Sequence, residues 1–423
     1  MTERMTRRQL LQRGLLIAGG AVLYAACAPS EEREPDPTAV AERVKKLRSE
    51  AILNTPETGV YNKKNLLRWQ EIEPQPKIDE RIGIAILPSK YVRGEGSIAW
   101  HTQVAAKLGF QRVAVPISPN EFADHTGIEL SQKPTLDALV KYSEFDALFN
   151  HPGITAIHIT CDVGGTNTVS GWQFPNEGAF TPERLQATYE EYRRTSEYLL
   201  QRYGHLGKEI TISGPNEMEL LAKGGWNSTT EDEDISETAF KNMVSYYDKI
   251  HRAVRDANAA HEGKTPLLTG AEVLQIRTEI GENDPLTGLD VIEALSVLPD
   301  VVTLSAWQFS GKGEGGYWLE KAMEEVQQST SASRVAITEY GVADSDREDL
   351  TREQIANYYV KDIQGAFSGG VEYVVVWGLT GFNSKNGKIN PNNNELRGLG
   401  LIRPDGSVRK EVYEVLKKYP AET

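Results

Sequence analysis

Arg334-Val-Ala-Ile-Thr-Glu339-Tyr-Gly341 is a short apolar run that closes on a carboxylate. Ile210-Thr-Ile-Ser-Gly-Pro-Asn-Glu217 repeats the design. Runs this short, rich in β-branched residues and bounded by Gly or Pro, read as strands buried on both faces. Working outward, the rhythm begins near residue 80: an apolar run, a loop, then a longer helical pattern. The runs are Arg81–Leu87, Arg112–Ile117, Ile154–Cys161, Ile210–Ser213, Leu267–Ala271, Val301–Ala306, Arg334–Thr338 and Tyr373–Trp377. Strands alternating with helices predict βα units on a parallel sheet. Eight such units predict a single (β/α)8 TIM barrel. An open doubly wound sheet is the rival, and it fits less well because no Gly-rich turn follows the first run.

Helix punctuation agrees. Thr181-Pro182-Glu183 places an N-cap before a Pro at the first helical position. Thr351 and Gln354 form a capping box, with Leu350 and Ile355 as a staple. Gly369-Gly370 stops that helix before the eighth run.

The N-terminus is read separately. Arg7-Arg8 opens a twin-arginine pattern, and the apolar stretch Gly14 to Ala26 is too short for a comfortable bilayer span. Residues 1–26 are therefore expected to be an export signal. The run ends Ala25-Ala26-Cys27, which resembles a lipoprotein signal with Cys27 as the lipidated residue; cleavage after Ala26 without lipid is the plain alternative. Residues 27–38 are a Pro-rich charged tether. The catalytic domain is expected over 39–423, starting with an amphipathic helix at 39–53. Membrane association is expected only through the lipid anchor.

A net charge of −14 disfavours nucleic acid or polyanionic partners. Of the 2 cysteines, only Cys161 lies in the barrel region, so no intrachain disulfide is expected there. His residues show no metal spacing, and H-E-x-x-H, C-x-x-C and G-x-S-x-G are absent from the sequence. Gly311-Lys-Gly313-Glu-Gly-Gly316 matches a dinucleotide fingerprint formally, but it follows the sixth run and Glu314 would repel a phosphate. The acidic run Glu231 to Asp234 lacks the register of a calcium loop. Neither a metal nor a cofactor is expected, and the chain is expected to be a monomer.

In such a barrel the strand C-termini build the active site. Glu217 after the fourth run and Glu339 at the seventh would converge across the mouth. Paired carboxylates suit glycosidic cleavage, one as acid for the leaving oxygen and one as nucleophile or base at the anomeric carbon. Asp162 and Glu272, after the third and fifth runs, could bind sugar hydroxyls or serve as salt bridges and caps. Trp172, Trp226 and Trp318 are placed in rim loops as stacking faces. With the Asn-rich stretch Gly378 to Gly398, they predict an extended cleft.

Asn216-Glu217, Thr338-Glu339-Tyr340-Gly341 and Trp377 together resemble clan A of the glycoside hydrolases, which includes families 2 and 5. The resemblance implies Glu217 as acid/base and Glu339 as nucleophile. It further implies Asn216 on the sugar 2-hydroxyl and Trp377 under the reacting sugar. Many clan members carry a Tyr or His after the sixth strand; here the run is Ser305-Ala-Trp307-Gln308-Phe309, and Trp307 or Gln308 is the substitute considered. The substrate implied is a β-linked oligo- or polysaccharide. A carbohydrate-binding lipoprotein on an inactive barrel is the alternative, as is an unrelated barrel enzyme such as a metal-dependent hydrolase.

Overall fold

The structure is a computed structural model. It describes residues 74–86, 97–119, 134–163, 168–215, 218–223, 235–274, 287–306, 316–330, 334–342, 351–379, 400–402 and 408–418. The signal, Cys27, the tether, the 39–53 helix, Asn216, Glu217, Trp226, Glu231–Asp234, Trp307, Gln308, the glycine-rich run up to residue 315, Leu350 and the Asn-rich stretch from residue 380 lie outside the described residues.

Eight strands close into a barrel in sequence order, each parallel to its neighbours. They are β1 Ile82–Ala85, β2 Arg112–Ile117, β3 Ala156–Cys161, β4 Glu209–Ser213, β5 Leu268–Val273, β6 Val301–Ser305, β7 Arg334–Tyr340 and β8 Val374–Val376. The open-sheet rival is thereby excluded. Each apolar run of the sequence holds one strand. The main differences are that β5 and β7 extend further, so Glu272 and Glu339 lie inside their strands rather than beyond them.

The helices between strands start and stop as the sequence directs. Thr181 accepts the Arg184 amide at 3.4 Å, with Pro182 at the first helical position. Thr351 and Gln354 exchange side-chain bonds to each other's backbone at 2.7 and 3.2 Å. Gly370 leaves that helix with φ +82°, a left-handed turn that suits Gly.

Alternation along each strand divides the core in two. Ile84, Val113, Ile157, Ile212, Val302, Ile337 and Val374 pack in the large cluster that includes the helices. Ala85, Ala114, Val301, Ala336, Tyr373 and Val375 form a second, small cluster, with Leu268 and Trp377 against it. A strand buried on both faces serves two cores at once. The small cluster is poor in the bulky branched residues that usually fill such barrels.

Charge closes the N-terminal end of the barrel. Glu209 accepts Arg112 at 2.7 Å and Arg334 at 2.6 Å, and Arg334 also pairs with Glu372. The Arg112 guanidinium lies 4.0 Å from the Tyr373 ring centroid. Burial works against the ionised Glu209, but its two Arg partners hold its carboxyl below the usual range. Above this layer His158 is fully buried and hydrogen-bonded through Nδ1 to the Tyr373 hydroxyl at 3.2 Å. Burial, reinforced by Arg112, pushes its pKa down to about 3. His158 is therefore neutral at ordinary pH.

Candidate active site

Polar side chains gather at the opposite end, where the strands finish. A cavity there is lined by Ala85, Ala114, Val115, Pro116, Thr160, Glu272, Thr338, Glu339 and Trp377. The small residues of β1 and β2 leave the space, and β5, β7 and Trp377 supply the chemistry. Both carboxylates are buried, Glu339 at 4% exposure and Glu272 at 1%.

Glu339 is held from β6. The Ser305 hydroxyl donates to Glu339 Oε2 at 3.1 Å, and the Ala306 amide donates to the Glu339 carbonyl at 2.8 Å. A hydroxyl donor suits an anionic partner. Sequence reasoning looked for this role at Trp307 or Gln308 and missed Ser305. The available signal was a polar residue ending an apolar run, in register with Glu339 across the ladder. Trp377 is half-buried just past β8, its amide donating to the Tyr340 carbonyl at 2.8 Å. That bond seats the indole next to β7.

Glu272 also belongs to the site. Thr338 Oγ1 donates to Glu272 Oε2 at 2.5 Å. Asp162 is differently employed: its Oδ1 accepts the Gly171 amide at 3.3 Å and the Tyr246 hydroxyl at 3.4 Å, tying the segment after β3 to the helix Glu237–Ala260. It does not line the cavity. Trp172 sits in the short helix Gly171–Gln173. Trp318 is corrected: it lies in the first turn of the helix Tyr317–Ser329, not in a loop.

The backbone on either side of Asn216 and Glu217 is tightly fixed. The Tyr247 hydroxyl donates to the Pro215 carbonyl at 3.0 Å. A Cβ on Gly214 would meet the Tyr247 ring at 2.4 Å, and one on Gly171 would meet Pro215 at 2.6 Å. On the far side, Glu219 is fully buried in the helix Met218–Ala222. Its carboxylate accepts the amides of Leu274 and Gly288, each at 3.0 Å. Both ends of the segment after β5 are thereby pinned to the helix that follows Glu217. Burial, then the charges of Glu272, Glu219 and Asp162, hold the Tyr247 hydroxyl well above the usual tyrosine range. The carboxylates of Glu272, Glu219 and Asp162 thus act on one buried hydroxyl. Among the described residues, no group of three or more His, Cys, Asp or Glu could hold a metal ion.

No family model and no curated protein matches the sequence. Solved structures do match in fold. The GH5-4 broad specificity endoglucanase from Clostridium acetobutylicum aligns with a TM-score of 0.50 at 12% identity, over 80% of this chain and 97% of that one. The β-glucuronidase of Bacteroides uniformis aligns with a TM-score of 0.50 at 14% identity, over 83% of this chain and 36% of that one. An FMN-binding β-glucuronidase from Facaelibacterium prausnitzii L2-6 gives 0.48 at 15%, over 83% and 45%. The chain thus spans less than half the length of the two glucuronidases. At 12% and 14% identity, the two matches with a TM-score of 0.50 show a likeness of fold alone.

Proposed function

We propose that this chain is a retaining glycoside hydrolase that cuts a β-linked oligo- or polysaccharide. One observation carries the reading: a nearly buried carboxylate, Glu339, stands at the C-terminal end of a (β/α)8 barrel with a Ser hydroxyl bonded to it and Trp377 lining the same cavity. Glu339 attacks the anomeric carbon while Glu217 protonates the departing oxygen. The product is a glycosyl ester on Glu339 and a free sugar hydroxyl. Glu217, now a carboxylate, takes a proton from water, and that water opens the ester with a second inversion at the same carbon. Asn216 and Trp377 hold the sugar.

The test is product release from a panel of β-glucans, xylans, mannans and galactans, with the anomer of the first product read by NMR. Retention of configuration supports the scheme. Inversion, or a chain that cuts none of the panel, removes it.

The proposal includes export and a lipid on Cys27, supported by the leader and tether described from the sequence. Cys27→Ser is expected to move the protein from the membrane fraction to the soluble one. A wild-type protein already soluble would leave plain signal cleavage.

A further inference from the structure

Strand β7 carries one residue too many. On the β6 side Leu304 pairs with Ile337 and Ser305 with Glu339, so Thr338 has no opposite number. On the β8 side Ile337 pairs with Val374 and Tyr340 with Val376, so β7 again uses the extra residue. Neighbours in a regular strand point to opposite faces. Here Thr338 and Glu339, adjacent in sequence, both line the mouth cavity. The irregularity is what turns the second of them inward.

A bulge leaves its extra residue outside the ladder. What holds it must come from side chains, and the side chain present is Glu272. Thr338 Oγ1 reaches past β6 to Glu272 Oε2 on β5 at 2.5 Å. Thr338 is 2% exposed and Glu272 1%, so bulk water does not compete for this bond. Thr is branched at Cβ and stiff at χ1, so fixing its hydroxyl also fixes the backbone on which the next residue hangs. Burying a carboxylate costs free energy that an aliphatic side chain at the same place would not. Packing alone therefore gives no reason for a Glu here.

We propose that Glu272 is a positioning residue for Glu339, acting through Thr338 by holding the β7 bulge in the form that presents Glu339 to the cavity. Ser305 then fixes the carboxylate itself, so three successive strands act on one side chain. The proposal rests on the reading of Glu339 as the nucleophile.

Thr338→Val keeps the shape and removes the donor; Thr338→Ser keeps the donor. On the substrate found for wild type, Thr338→Val is expected to lower kcat roughly 10- to 100-fold with a much smaller change in KM, the scale of a nucleophile displaced by a fraction of an ångström to one ångström. Thr338→Ser should restore most of the loss. Glu272→Leu combined with Thr338→Val should cost no more than Glu272→Leu alone, because a pair acting as a unit is not additive. Wild-type kcat in Thr338→Val, or additive losses, overturns the assignment. Crystal structures of wild type and Thr338→Val separate this idea from the hydrolase reading. A Glu339 that leaves Ser305 in the variant supports positioning even in a chain that cuts no glycan, and an unmoved Glu339 overturns it.

Discussion

Ser305 and Glu339 are ladder partners on β6 and β7, and the hydroxyl of the first donates to the carboxylate of the second at 3.1 Å. A bond between adjacent strands is short-range and rigid, so it holds the carboxylate from within the barrel wall. Ser305→Ala removes one donor to a charged group, which is worth about 1.5–3 kcal/mol. If that bond matters most when Glu339 is aligned for attack, kcat should fall by roughly 10- to 100-fold with little change in KM. Steady-state kinetics on the best panel substrate would show it, and an unchanged kcat would remove Ser305 from the account.

Glu339→Ala should lose essentially all turnover. Added azide should restore part of it by attacking the anomeric carbon in place of the carboxylate, giving a glycosyl azide of inverted configuration. The product is identified by mass and NMR. Near-wild-type turnover in the variant would exclude Glu339 as nucleophile.

Glu219 is expected to matter for stability. Glu219→Ala leaves the amides of Leu274 and Gly288 without their acceptor in a buried place. Each unsatisfied buried group costs about 1–3 kcal/mol. The urea midpoint should fall by an amount corresponding to at least the lower bound. A variant as stable as wild type would show that these amides find other acceptors.

The buried histidine makes a prediction about acid. His158 is pushed down to about 3 from an ordinary value of 6.5, so between those values the unfolded chain takes up a proton that the folded chain refuses. Its contribution is fully present above 6.5 and is lost as pH falls toward 3, at about 1.4 kcal/mol per pH unit. His251, also buried and lowered first by burial, adds in the same direction. Urea unfolding at successive pH values should show a steeper acid loss for wild type than for His158→Gln. Parallel curves would contradict the burial of a neutral imidazole.

Eight strands could be read from the sequence because each is a short apolar run with a polar boundary, and the capped helices between them left one closed arrangement. Glu339, Glu272 and Trp377 could be placed at the mouth because strand ends are visible as the end of such runs. The bulge was not legible. Ile337, Thr338 and Glu339 look like any alternating strand, and only pairing with β6 and β8 reveals the extra residue. Ser305 was passed over for the same reason, since its partner lies on another strand. Asp162 looked like a rim carboxylate, and its use as a tie to Gly171 and Tyr246 depends on tertiary neighbours far away in sequence. Trp318 was misplaced because Gly316 starts a helix there in the left-handed region, with φ +82°, where the sequence offers no polar N-cap.

The ionic layer at the barrel's closed end has a consequence for how the fold can be divided. Glu209 belongs to β4 in the first half of the chain, and it bonds both Arg112 in that half and Arg334 in the second. Cutting the chain between β4 and β5 would leave Arg334 with Glu372 alone and Glu209 with Arg112 alone, while exposing the inner faces of both halves. The large core cluster runs through both halves, so the barrel should resist splitting into independently stable fragments. Its breakage and assembly would be those of one object.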